Sequence, residues 1–71
     1  MQNKVKSRRV EMGFTQDEMS KKIGVSRQTI HAIESGKYIP STLLALKLSL
    51  YLKCSVEEIF SLEASDWLPL K

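Results

Sequence analysis

Apolar positions along the chain recur at three- and four-residue intervals, interrupted by short polar segments, and two-residue alternation is almost absent, so the pattern predicts helices. The first is predicted over Asn3 to Met12, with Val5 and Val10 facing inward and Gly13 ending it in a left-handed conformation. Thr15 and Glu18 have the spacing of a capping box and open a second helix over Gln16 to Lys22. The break Ile23-Gly24-Val25-Ser26 is short enough to demand a steep turn, with Gly24 permitting it and Ser26 capping the next helix. That third helix is expected over Arg27 to Ser35, stopped by Gly36 and followed by an extended loop, Lys37-Tyr38-Ile39-Pro40. A fourth is expected over Thr42 to Leu52. Ser55 and Glu58 form a second capping box that starts a short fifth helix, through Leu62, before Pro69 breaks regularity. The expected class is therefore all-α, five helices with a helix-turn-helix at the second and third.

At about 100° per residue, Ile30, Ile33 and Glu34 share one face of the third helix, and Gln28, His31, Ala32 and Ser35 share the other. The outer face is small and polar, which lets a helix approach base edges in a major groove, and Arg27, Gln28 and Thr29 at its N-terminal end are side chains suited to reading them. A well-capped solvated surface would carry the same residues, so this face alone does not decide the matter. Glu34 lies about 40° from Ile30 on the inward side, where an unpaired carboxylate is costly, so it needs a cation. On the fourth helix Leu44, Leu48, Tyr51 and Leu52 make a stripe toward the core, while Leu43, Leu46 and Leu50 make a second stripe that something else must cover.

Composition narrows the function. Seventy-one residues, 42% hydrophobic and 27% charged, describe one folded domain with a modest core. The longest apolar run, Leu43 to Leu52, is interrupted by Lys47 and Ser49, and no signal-peptide pattern opens the chain, so a cytoplasmic protein is expected. Net charge is +3, but residues 1–53 hold ten Lys and Arg against four acids and residues 54–71 one against four. A basic front suits a surface facing phosphates. One histidine and one cysteine, Cys54, without ligand spacing, a glycine-rich phosphate loop or facing carboxylates leave no constellation for metal binding or catalysis; neither an enzyme nor a cofactor is expected.

The segments Arg9…Gly13-Phe14-Thr15-Gln16, Ile23-Gly24-Val25-Ser26-Arg27-Gln28-Thr29-Ile30, Ile33-Glu34-Ser35-Gly36-Lys37-Tyr38 and Pro40-Ser41, leading to Val56-Glu57-Glu58-Ile59-Phe60, resemble the Cro/repressor-type (XRE-like) helix-turn-helix regulators. The resemblance covers Lys4 to about Phe60 and is strongest to the short single-domain cytolysin-repressor-like members. It implies a five-helix, lambda-repressor-like DNA-binding domain over residues 1–62, the third helix reading double-stranded DNA. Residues 63–71 are expected as a tail that forms a strand or a dimer arm.

By the same resemblance, Gln16 contacts phosphate and braces the recognition helix, Arg27 and Gln28 read bases next to the cap Ser26, and Thr29, Lys37 and Tyr38 touch phosphate or the edge of the site. Ala32 faces the groove, either accepting a thymine methyl or avoiding a clash, the latter favoured; His31 either meets phosphate or is solvated. Arg9 occupies the position whose guanidinium pairs with Glu34, a structural tie. Arg8 stands where most members carry leucine, so either the first helix packs less fully or Val10 and Met12 supply the contact. Leu43, Leu46, Leu50, Phe60, Trp67, Leu68 and Leu70 are the candidate dimer surface; a tail folded back over its own subunit is the alternative. The expected function is a regulator, a repressor binding a palindromic operator as a homodimer; a toxin-covering antitoxin and a restriction-modification controller are the alternatives, separable by neighbouring genes.

Overall fold

Four of the helices begin on a hydroxyl that accepts a backbone N–H three residues on: Thr15 from Glu18, Ser26 from Thr29, Ser41 from Leu44 and Ser55 from Glu58. At Thr15 and Ser55 the glutamate returns the bond to the cap's own N–H, completing both predicted capping boxes. The backbone N–H bond holds the Glu58 carboxyl below its ordinary pKa. In the computed structural model, which describes residues 1–68, the order is β1 (Gln2–Asn3), α1 (Val5–Glu11), α2 (Gln16–Ile23), α3 (Arg27–Glu34), α4 (Thr42–Tyr51), α5 (Val56–Ile59) and β2 (Phe60–Ser61), then a 3-10 turn, Ala64–Trp67. Gly24 ends α2 at φ 86°, a left-handed conformation that turns the chain into α3 and that a side chain would strain.

The core joins all five helices: Val5, Met19, Ile23, Ile30, Ile33, Leu44, Leu48, Leu52, Ile59 and Phe60 are buried, and Met12, Phe14, Val25 and Tyr51 pack around them. Phe14 and Tyr51 stack with ring centroids 4.6 Å apart, tying the α1–α2 turn to α4. The α4 stripe Leu44, Leu48 and Leu52 is buried, whereas Leu43, Leu46 and Leu50 are 66%, 51% and 81% exposed. None of the helices among the described residues is long and apolar enough to cross a membrane.

Two local expectations fail at the ends. Asn3 is not the start of α1: with Gln2 it forms a strand antiparallel to β2, Gln2 opposite Ser61 and Asn3 opposite Phe60. The fifth helix accordingly stops at Ile59, where Phe60 turns extended, and not at Leu62. The strand of the C-terminal region thus lies before the tail. Val10, expected inward, is 59% exposed. With the helix starting at Val5, the inward neighbour is Arg9, one turn on, and Val10 lies about 140° away. Met12 supplies an apolar contact; Arg8 donates from Nε to the Leu52 carbonyl at 2.9 Å and pairs with Glu11, so it caps α4 where a leucine would pack.

The tail's 3-10 turn is held by the chain's own start. The Met1 ammonium lies 2.9 Å from Glu63 Oε1 and 3.1 Å from Asp66 Oδ2, and these partners raise its pKa. Asp66 is lowered, first by the Glu63 backbone N–H and then by that ammonium. Trp67 and Leu68 remain 75% and 69% exposed, so this arrangement does not cover them. Phe60, grouped with the dimer surface on the sequence, is buried in the chain's own core, because β2 turns it inward beside Asn3. Leu70 and Pro69 lie outside the described residues.

Candidate nucleic-acid interface

The third helix is held from beneath by Ile30 and Ile33, both fully buried, which forces Arg27, Gln28, His31 and Ser35 outward with Ala32 at the surface's edge. Its N-terminus is closed by paired hydroxyls: Ser26 Oγ accepts the Thr29 N–H and sits 2.9 Å from Thr29 Oγ1. At its C-terminus, Asn3 Nδ2 donates to the Ile33 carbonyl at 2.9 Å while Asn3 Oδ1 accepts the Val5 N–H, so one side chain joins the ends of two helices.

Glu34 and Arg9 form the centre of a buried polar network. Arg9 Nε donates to Glu34 Oε2 at 2.7 Å and Nη2 to Oε1 at 3.2 Å, with the two side chains 10% and 3% exposed. Arg9 Nη1 donates to the Phe14 carbonyl at 2.7 Å, and Gln16 Nε2 donates to Glu34 Oε1 at 3.0 Å. This bidentate pairing ties α1, the α1–α2 turn, α2 and α3 together at one point, and no buried side-chain polar atom among the described residues is left unpartnered. The parts played by Asn3 and the Phe14 carbonyl were not read from the sequence; both are contacts between distant segments, invisible to local spacing.

The exposed ridge of α3 has an open groove along each flank. On one side Gln16, Ser26, Arg27, Gln28 and His31 line a polar groove. On the other, Val25, Ser26, Gln28, Thr29, Ala32 and Tyr38 surround a shallow hollow floored by Leu44. Eight of the nine residues singled out as DNA-facing therefore line these two grooves. Lys37 follows α3 as an exposed cation, its N–H bonded to the Ala32 carbonyl.

A braced helix with a small polar outer face, joined to a capped partner helix by a short turn through the left-handed Gly24, defines a helix-turn-helix DNA-binding domain. The Helix-turn-helix family matches residues 5–59, and the chain belongs to this family, the Cro/repressor-type transcriptional regulators, a class of regulators and not of enzymes. It is 46% identical over 66 residues to the uncharacterised HTH-type transcriptional regulator YgzD of Bacillus subtilis, covering 93% of this chain and all of that protein. An uncharacterised HTH-type transcriptional regulator of Methanocaldococcus jannaschii is 49% identical over 66 residues, with the same coverage. Among solved structures it resembles the restriction-modification controller protein C.AhdI of Aeromonas hydrophila, with TM-score 0.73, 25% identity and coverage of 79% and 85% of the two chains. The N-terminal DNA-binding domain of SinR from Bacillus subtilis superposes with TM-score 0.68 at 31% identity, covering 75% and 78%.

Proposed function

We propose that this regulator is a cytoplasmic repressor that binds a palindromic operator in double-stranded DNA as a homodimer, reading each half-site with the helix at residues 27–35. The observation that carries the reading is the split of α3 into a buried Ile30/Ile33 face and an outer face of Arg27, Gln28, His31 and Ala32. Arg27 and Gln28 read base edges, Arg toward guanine and Gln toward adenine, with Ser26 holding the helix end that presents them. Gln16, Thr29, His31, Lys37 and Tyr38 meet phosphates or the rim of the site, where a basic front of ten Lys and Arg against four acids favours the polyanion. Occupying a duplex site is enough to exclude polymerase, so repression rests on DNA binding by residues 1–62, with residues 63–71 serving as the dimerisation segment that pairs two such domains.

Three exposed leucines on α4, with Trp67 and Leu68, support the dimer: this much apolar surface on a small domain calls for a cover. A two-fold contact there would set two recognition helices one DNA turn apart, ~34 Å. A Leu50→Ala/Trp67→Ala variant is expected to sediment as a monomer at concentrations where the unmodified chain is a dimer; unchanged mass would remove this surface from the proposal. The controller reading is supported by the likeness to C.AhdI and differs only in the genes regulated.

The test of the whole reading is selection of bound duplexes from a random pool. Recovery of a palindrome with half-sites one turn apart is expected. Binding no tighter than to bulk competitor, even at low ionic strength, would end the proposal.

A further inference from the structure

The carbonyl of Ile33, in the last turn of α3, accepts two hydrogen bonds. One comes from the Gly36 N–H at 3.1 Å and closes the helix locally. The other comes from the half-buried Asn3, whose Nδ2 donates at 2.9 Å from thirty residues away. The carbonyl is satisfied without it, so this second bond is a tie between distant segments and not a cap. Asn3 Oδ1 meanwhile accepts the Val5 N–H at 3.2 Å, at the head of α1, where Lys4 offers no side-chain cap.

The other end of the tie is the β1–β2 sheet. Asn3 sits opposite Phe60, and the Lys4 N–H donates to the Ile59 carbonyl at 2.8 Å, so these residues are bonded along the end of α5 and β2. From β2 the chain runs into the 3-10 turn Ala64–Trp67, which ends at the exposed Trp67 and Leu68 of the proposed dimer surface. The rest of that surface, the outer stripe of α4, has no comparable route to α3. The polar link of α4 inward is Lys47 Nζ to the Ile23 carbonyl of α2, and no hydrogen bond among the described residues joins α4 to α3. On that side the recognition helix shares an apolar core with Leu44 and Leu48, and apolar packing resists separation without fixing direction as a hydrogen bond does.

Resting on the reading above of a homodimer on a palindromic operator, we propose that Asn3 is a positioning residue for DNA recognition: its amide fixes α3 relative to the dimerisation segment and so sets which half-site separation the pair accepts. A palindrome presents its half-sites at one distance and one angle, and each added base pair moves them ~3.4 Å apart and turns them by ~35°. A dimer fits the wrong separation only if its recognition helices shift against the interface. The Asn3 bond is what such a shift breaks, once in each protomer.

The experiment uses the full chain and the palindrome it selects from a random pool, with the half-sites moved one base pair closer or further apart. Asn3→Asp keeps an oxygen for the Val5 N–H but turns the donor into an acceptor facing the Ile33 carbonyl; Asn3→Ala removes both groups. Affinity for each spacing is read relative to the same variant's affinity for a single half-site, a ratio that does not depend on the folded fraction, so a less stable variant still reports. One hydrogen bond is worth a factor of about five, so both variants should lose about fivefold of the preference for the selected spacing per protomer, and about twenty-five-fold over the pair. A purely structural role lowers binding to the half-site and to every spacing in step. A ratio unmoved in both variants therefore overturns the tie and leaves the dimeric DNA-binding reading standing. An unmodified chain that binds all spacings alike overturns the dimer, and failure to select any duplex overturns DNA recognition itself; the tie falls with either.

Discussion

A Glu34→Ala variant is expected to lose about 3–5 kcal/mol of folding stability, a large share of the roughly 5–15 kcal/mol that holds a domain of this kind together. The carboxylate is 3% exposed and accepts from Arg9 Nε, Arg9 Nη2 and Gln16 Nε2. Its removal leaves a guanidinium that is itself 10% exposed, with the Phe14 carbonyl at 2.7 Å as its remaining partner. Water cannot easily replace the missing oxygens, so the desolvation of Arg9 goes uncompensated. Gln16 is released at the same time, and with it one anchor between α2 and α3. Urea unfolding followed by far-UV circular dichroism reads the loss, and a midpoint shift equivalent to less than about 1 kcal/mol would show that the pair is solvated like a surface ion pair. The double variant Arg9→Met/Glu34→Leu should recover most of the stability, because two apolar side chains of similar volume need no partner. Its DNA affinity should stay low, since Gln16 would lack the acceptor that orients it.

Arg27→Ala is expected to cost roughly 1–3 kcal/mol per half-site, and so roughly 2–6 kcal/mol on a two-half-site duplex. Arg27 stands exposed at the first position of α3, beside Gln16 and Gln28 in the polar groove, and makes no ion pair among the described residues. Its removal therefore leaves the fold intact and its effect falls on recognition. If the guanidinium reads guanine, affinity drops on the selected sequence, preference relaxes at one symmetric pair of positions, and the salt dependence of binding keeps its slope. If it meets phosphate, affinity falls on all sequences alike and the slope shrinks by about 0.9 for each phosphate that is no longer neutralised. Fluorescence anisotropy titrations on matched and mismatched duplexes, at several salt concentrations, separate the two, and the second outcome would move base reading to Gln28 alone.

How much of the molecule is legible in its sequence depends on whether the determining interaction is local. Caps at Thr15, Ser26 and Ser55, and the left-handed Gly24, act within three or four residues, and each helix they delimit starts where their spacing places it. The inward face of α3 follows from period alone, and Glu34 declares its need for a cation by falling on it. The resemblance points to Arg9 as that cation, and the two side chains meet. The double apolar stripe of α4 is equally readable, because a helix hydrophobic on two sides exposes one of them unless a neighbour intervenes.

What escapes the sequence involves segments far apart along it. Nothing near Gln2 announces that it will pair with Ser61, and two-residue strands carry no alternation to detect. That pairing shortens α5, turns Phe60 into the core and, through Asn3, reaches the last turn of α3. Val10 is a different case: it faces outward because it lies about 140° from the buried Val5, an offset that the helical period fixes wherever the helix begins. Sequence by itself determined the helices, their order and the polar side of the reading helix, since caps, breakers and period are short-range. Only the tertiary structure decided that the first residues meet residues 60–66 and that Val25, Leu44 and Tyr38 come together beside Ala32, because these depend on chain closure across tens of residues.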